Sequence, residues 1–227
     1  MVIGATGALL AVTVGALAPQ VYTLTHANES VDELIDLEAL DDFAIRSFVY
    51  AADGSLIASL VGVENREPVP LSEVPEPVIK AVLAVEDEDF YHHPGVNIRA
   101  LFRALLENVS AGDIEQGGST ITQQLIKNSL LSSDQDIDRK SREISLALRL
   151  EKQLSKDEIL EKYLNAVYFG SGAYGVQAAA ETYWGRDVSE LSWAEGAMLA
   201  ALIAKPEAND PTLNEENAIA ARGRPLD

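Results

Sequence analysis

The chain contains no cysteine. Disulfide staples and thiolate metal sites are therefore excluded, and the redox state of its compartment leaves no mark on it. Positive charge is scarce as well: 17 Lys and Arg stand against 36 Asp and Glu, a formal balance of −19. Such a chain is a poor general partner for nucleic acid or an anionic bilayer face, and an anionic ligand would need a local cationic site. Internal repeats and low-complexity tracts are also absent. What remains is 227 residues, 47% of them hydrophobic, enough for one sizeable domain and a short appendage.

Charge of either sign is missing from residues 1–25. Residues 2–24 are just long enough to cross a bilayer as a helix, so a signal-anchor is expected over 1–25. Ala16-Leu17-Ala18 has the small-x-small form of a cleavage site, but Pro19 directly after it favours a retained anchor over a cleaved signal. The missing basic flank suggests residues upstream of Met1. The seven charged residues that follow, from Glu29 to Asp42, are all acidic, which places the main domain outside the cytoplasm.

Residues 43–61 read as a β-hairpin around Ala52-Asp53-Gly54, since Asp-Gly is a tight-turn signal. A Pro-rich connector follows over 67–77, and beyond it the pattern is almost wholly helical. Residues 98–109 carry a one-sided apolar stripe, and Ser155-x-x-Glu158 and Ser192-x-x-Glu195 have the form of helix-opening capping boxes. The segmentation that results is an anchor at 1–25, an acidic linker and hairpin at 26–70, a main domain at 71–211, and the start of a linker at 212–227.

Four stretches carry candidate chemistry. Glu86-Asp87-Glu88-Asp89-Phe90-Tyr91-His92-His93-Pro94-Gly95 follows an apolar helical run, 78–85. A carboxylate leaving a buried element is a candidate general base, because partial desolvation raises its pKa toward the working range. The plain alternative is a solvated acidic run. His92 and His93 are adjacent and so point apart, which suits one structural, hydrogen-bonded histidine better than a metal pair. Next, Gln116-Gly117-Gly118-Ser119-Thr120-Ile121-Thr122-Gln123-Gln124 places hydroxyls and backbone N–H groups at a helix start. That suits a phosphate or sugar, or else is an ordinary N-cap. It lacks the Gly-Lys-Ser/Thr ending of a nucleotide loop.

In the third stretch, Arg139-Lys140-Ser141-Arg142-Glu143, helical spacing puts Arg139, Lys140 and Glu143 on one face. The alternative is surface ion pairing worth a few tenths of a kcal/mol. The charge map argues for more: Arg139, Lys140, Arg142, Arg149, Lys152, Lys156 and Lys162 crowd a segment that holds only five acids. An anionic leaving group would sit there. The fourth stretch, 156–175, mixes core positions, with Tyr163 and Tyr168 expected to pack, and a glycine turn through Gly170, Gly172 and Gly175.

Taken together and in order, these stretches strongly resemble the family 51 peptidoglycan glycosyltransferases, the module of class A penicillin-binding proteins and of monofunctional transglycosylases. Glu86, Asp87, Phe90, His93 and Gly95 match the first family pattern, and Gly117, Ser119, Thr120, Thr122, Gln123 and Gln124 the second. Arg139, Lys140 and Glu143 match the third, and 163–175 the fourth. The resemblance covers about 71–211.

It implies a mainly α, lysozyme-like helical domain with a smaller membrane-proximal lobe, anchored by a single pass in the bacterial cell membrane with its catalytic part outside. It also implies polymerisation of lipid II into β-1,4 glycan strands, with inversion and release of undecaprenyl pyrophosphate. By matched position, Glu86 looks like the base for the acceptor hydroxyl, and Asp87 its support. Arg139, Lys140 and Lys127 look like partners of the donor pyrophosphate. Glu143, the second acidic position, would orient those cations or a divalent ion such as Mg or Mn; no organic cofactor is implied. Ser119, Thr120, Gln123 and Gln124 look like substrate contacts, and Phe90 and His93 belong to the same substrate-binding set.

The implied partners are lipid II, the growing strand, the membrane, and other wall-synthesis proteins, with no nucleic acid. Neither Ser-x-x-Lys nor Lys-Thr-Gly occurs, so these residues hold no transpeptidase site. The ending Arg222-Gly223-Arg224-Pro225-Leu226-Asp227 suggests a longer class A protein, with a monofunctional enzyme as the alternative. Two rival functions share these residues: a wall-cleaving lysozyme-like hydrolase, and an inactive membrane-anchored scaffold.

Overall fold

The computed structural model describes residues 35–40, 43–60, 62, 64–100, 118–131 and 137–223. In chain order the elements are β1 (Ser47–Tyr50), β2 (Leu56–Leu60), β3 (Asn65–Arg66), α1 (Glu76–Glu86), α2 (Ile121–Ser129), α3 (Ile137–Gln153), α4 (Lys156–Ala166), β4 (Ala173–Tyr174), α5 (Val176–Trp184), α6 (Trp193–Ala204) and α7 (Glu215–Gly223), with single 3-10 turns between them. The fold is mainly helical, as the sequence leads one to expect. The expected anchor, 1–25, and most of the 98–109 helix lie outside the described residues; residues 98–100 are helical. No helix among the described residues is long and apolar enough to cross a membrane.

The chain divides into two compact units. The first comprises Met1–Leu37 and Asp89–Lys156; the second comprises Glu38–Glu88 and Asp157–Asp227. The division falls inside the acidic motif, between Glu88 and Asp89.

The second unit is built on α6. All eight of its residues from Gly196 to Ile203 are buried, whatever side of the helix they occupy. A helix apolar all round is a central one. Glu195 opens it by accepting hydrogen bonds from the Ser192 N–H and hydroxyl, both at 2.7 Å. Helix α1 lies against α6, burying Val78, Ala81 and Val82, positions i, i+3 and i+4 of one face. Their approach is close: a Cβ on Gly196 would lie 3.0 Å from both the Pro77 carbonyl oxygen and the Val78 Cα. Helix α7 also packs on α6.

In the same unit β1 and β2 pair antiparallel about the Asp53-Gly54 turn. The Asp53 carboxylate accepts from the Ser55 N–H at 3.0 Å and hydroxyl at 2.6 Å. No local pattern in the chain announces the second pairing, in which β3 and β4 run parallel. Arg46 pins this region: it donates to both Glu67 and Glu181, while its N–H bonds the Arg66 carbonyl at 2.8 Å.

In the first unit α2 and α3 pack together. Buried Ile121, Leu125 and Ile126 come from one, and buried Ile144, Ala147 and Leu150 from the other. Each fully buried Leu or Ile of this set contributes about 1.5–3 kcal/mol, and Ala147 less.

Candidate active site

Glu86 is the last residue of α1 and is half-buried; Asp87, which caps the helix, is 7% exposed. Helix α1 thus delivers both carboxylates from an apolar face to the edge of the core. Their charge is felt inside the second unit. The Tyr163 hydroxyl, fully buried in α4, is pushed well above its ordinary value, first by burial and then by the negative charges of Glu86 and Asp87. Glu88 is exposed, as a solvated acidic run would have it. Asp89 is not pure surface charge: it is half-buried and accepts from Asn97 at 3.4 Å.

In the first unit, Phe90 is fully buried, and the Lys156 ammonium sits 4.3 Å from its ring centroid. The His93 Nδ1 accepts from the Gly95 N–H at 3.2 Å. This is the structural, hydrogen-bonded role, and it shapes the turn. Gly95 has φ +90°, and a Cβ there would meet the Ala147 carbonyl oxygen at 2.9 Å, so both conformation and space demand glycine.

The Ser/Thr turn resolves into two kinds of residue. Thr120 is the N-cap of α2, and Gln123 closes a capping box with it. Thr120 Oγ1 accepts from the Gln123 N–H at 3.2 Å, and Gln123 Oε1 accepts from the Thr120 N–H at 3.0 Å. The Thr120 hydroxyl is also 2.6 Å from the Gly95 carbonyl, to which it donates. Both side chains are 2% exposed, so their polar atoms are committed to holding the turn. Ser119 is different. It is exposed, and its Oγ accepts from the Lys140 ammonium at 3.0 Å. Gln124 is half-buried, and Lys127 is exposed in the last turn of α2.

On α3, Lys140 and Glu143 pair at the expected i, i+3 spacing, and Glu143 is 2% exposed. A buried carboxylate needs a cation beside it, because its desolvation costs several kcal/mol otherwise. Lys140 therefore stands between a buried anion and an exposed hydroxyl. Arg139 shares the face without joining the pair, and its Nε is buried with no hydrogen-bond partner among the described residues. The side chains that would favour a divalent ion do not assemble: among the described residues no group of three or more His, Asp or Glu could hold a metal. The Glu143 carboxylate is taken by Lys140, so the described residues do not fit such an ion.

Two acids whose side chains are largely covered escape a reading of the sequence. Glu151 accepts from the Thr122 hydroxyl at 2.5 Å and from Lys156 at 2.7 Å. Asp210, fully buried, accepts from Ser171, Thr212 and Tyr183. Burial pushes the Asp210 carboxyl up, but these hydrogen bonds outweigh it and hold the group below its ordinary value. The second unit also has a depression of about 330 Å³ lined by Phe43, Arg66, Glu161, Lys162 and Asn165 among others; none of Glu86, Asp87, Lys127, Arg139, Lys140 and Glu143 lines it.

A family model described as transglycosylase matches residues 53–227. The chain belongs to the transglycosylase family. Among similar members, penicillin-binding protein 1A of Aquifex aeolicus (strain VF5) is 46% identical over 176 residues, 78% of this chain and 24% of that protein. Penicillin-binding protein 1A of Escherichia coli (strain K12) is 43% identical over 192 residues, 84% of this chain and 22% of that one. The chain thus spans less than a quarter of the length of these transglycosylase relatives. The crystal structure of penicillin-binding protein 1A from Haemophilus influenzae is 25% identical and covers 81% of this chain and 18% of its own, with a TM-score of 0.43.

Proposed function

We propose that the chain is a peptidoglycan glycosyltransferase that polymerises lipid II into β-1,4 glycan. Glu86 takes the proton of the acceptor 4-hydroxyl, and the freed oxygen bonds the donor's anomeric carbon from the face opposite the pyrophosphate. The bond from that carbon to the pyrophosphate oxygen breaks, the configuration inverts, and undecaprenyl pyrophosphate leaves with the electron pair. Asp87 supports Glu86. Lys140, with Arg139 and Lys127, meets the pyrophosphate, and Ser119 and Gln124 bind beside it. Glu143 fixes Lys140 and touches no substrate.

The observation that carries this reading is Lys140, a cation fixed by a buried carboxylate and offered beside an exposed hydroxyl in a chain of net charge −19. A fixed cation stabilises charge as it develops on a leaving group, most strongly where water is excluded. A lysozyme-like hydrolase works with two carboxyl groups and has no pyrophosphate to neutralise. Attachment to the membrane through 1–25, a lysozyme-like shape with a membrane-side lobe, and a transpeptidase domain elsewhere in a longer protein belong to the same reading.

The test is incubation with lipid II and, separately, with preformed glycan. Polymer growth from lipid II is expected; shortening of glycan without consumption of lipid II would overturn the reading. Glu86→Gln removes a base at nearly constant volume and should abolish polymerisation while the circular dichroism and melting temperature stay close to those of the parent. Turnover near normal in that variant would remove Glu86 from its role.

A further inference from the structure

We infer that Glu151 is a positioning residue for the transfer reaction, a role that rests on the function proposed above. Its carboxylate is only 8% exposed. One oxygen, Oε1, accepts from two donors: the Thr122 hydroxyl at 2.5 Å and the Lys156 ammonium at 2.7 Å. Each donor belongs to a different piece of the first unit. Thr122 lies in the first turn of α2, two residues after the capping Thr120 and three after Ser119. Lys156, 19% exposed, opens α4 and lies over the ring of buried Phe90. The third piece is the turn at Gly95, whose missing Cβ leaves the room that the Glu151 Cγ occupies; a Cβ built there would come within 2.9 Å of it.

The three pieces close a circuit, since the Gly95 carbonyl accepts from Thr120 on the same helix start. Glu151 therefore sets the angle at which the N-terminus of α2 presents Ser119 and, through Ser119, its contact with Lys140.

Physical economy favours this role over a purely stabilising one. A largely desolvated ion pair such as this one, with side chains 8% and 19% exposed, adds little net stability, because desolvation cancels much of the attraction. What such a pair does supply is direction, because an ammonium and a hydroxyl sharing one carboxylate oxygen hold that oxygen in one place. Glu151 touches no substrate in this scheme. It acts on the alignment of the Ser119–Lys140 contact with the leaving group, where a misplacement of about 1 Å costs on the order of a hundredfold in rate.

The experiment uses the full chain and lipid II, assayed well below the melting temperature so that every variant is fully folded. The double variant Glu151→Leu with Lys156→Met removes both charges without stranding either, and Thr122→Val removes only the hydroxyl. Melting temperatures close to the parent's are expected for both. For the double variant kcat should fall tenfold or more with KM for lipid II within threefold, and Thr122→Val should move in the same direction by less. Glu151→Gln, which keeps an acceptor oxygen for Thr122, should recover most of the loss. A double variant with kcat within threefold of the parent overturns the inference. So does a loss that tracks the fraction of folded protein rather than kcat. An inactive parent chain would instead mark failure of the proposed function itself, so the two are told apart.

Discussion

Asp210 shows what a single side chain does when burial and hydrogen bonding oppose each other. Desolvation favours the neutral acid, but the Ser171 and Thr212 hydroxyls at 2.6 Å and the Thr212 N–H at 2.8 Å favour the anion and win. The folded-state pKa is therefore depressed. The stabilisation it represents is fully present above the ordinary carboxylate value and is lost as pH falls through the folded-state value. Thermal melts from neutral pH down to about pH 3 should thus show a falling limb, and Asp210→Asn should flatten that limb while lowering stability at neutral pH. An unchanged acid limb in the variant would show that other carboxylates carry the effect.

Ser171 adds a reason for the network. It is the one non-glycine residue with positive φ among those described, at 47°, and its hydroxyl bond to Asp210 helps hold that costly conformation. Of the site residues, Lys140 is the most direct to test: Lys140→Ala should weaken donor use at least tenfold, read as kcat/KM for lipid II. It also leaves the buried Glu143 without its cation, so Lys140→Arg serves as the charge-preserving control.

At the scale of elements, legibility in the sequence follows separation along the chain. The Lys140–Glu143 pair, the Asp53-Gly54 hairpin turn and the start of α6 at Ser192 are all set by residues within four positions of one another. Helix and turn geometry fix such pairs before any tertiary contact forms. The pairing of β3 with β4, the Thr122–Glu151 bond and the bonds of Ser171 and Tyr183 to Asp210 join residues tens of positions apart, and nothing local foretells them.

The Ser119–Gln123 turn is the instructive mixed case. Its residue types suit both a sugar-binding edge and a helix cap, and only the folded chain separates exposed Ser119 from the capping pair Thr120 and Gln123. Helix packing carries its own prediction. A methyl group at Gly196 would press on the Pro77 carbonyl and the Val78 Cα, backbone atoms that cannot rotate aside. Gly196→Ala should therefore destabilise by about 1–3 kcal/mol despite the better helix propensity of alanine. Chemical denaturation would measure this, and a variant as stable as the parent would mean that α1 and α6 can slide apart at no cost.

For the whole molecule, the governing quantity is a net charge of −19. Repulsion among so many acids opposes compaction, and it is screened over a Debye length of about 10 Å at 0.1 M salt. The few ion pairs on the surface are worth about 1 kcal/mol or less each and are screened by the same salt. Long-range repulsion outweighs these pairs, so the melting temperature should rise when salt increases from about 10 to 150 mM. A fall over that range would show that local pairs dominate. The cations of 139–162 gain meaning against this background, since seven of the chain's 17 Lys and Arg gather there against five acids.

The contact between Lys156 and Phe90 has one more consequence. Residues 89–156 interrupt the second unit's sequence, and near the two ends of that stretch the Lys156 ammonium sits 4.3 Å from the Phe90 ring centroid. That contact ties the start of the stretch to its end within the first unit.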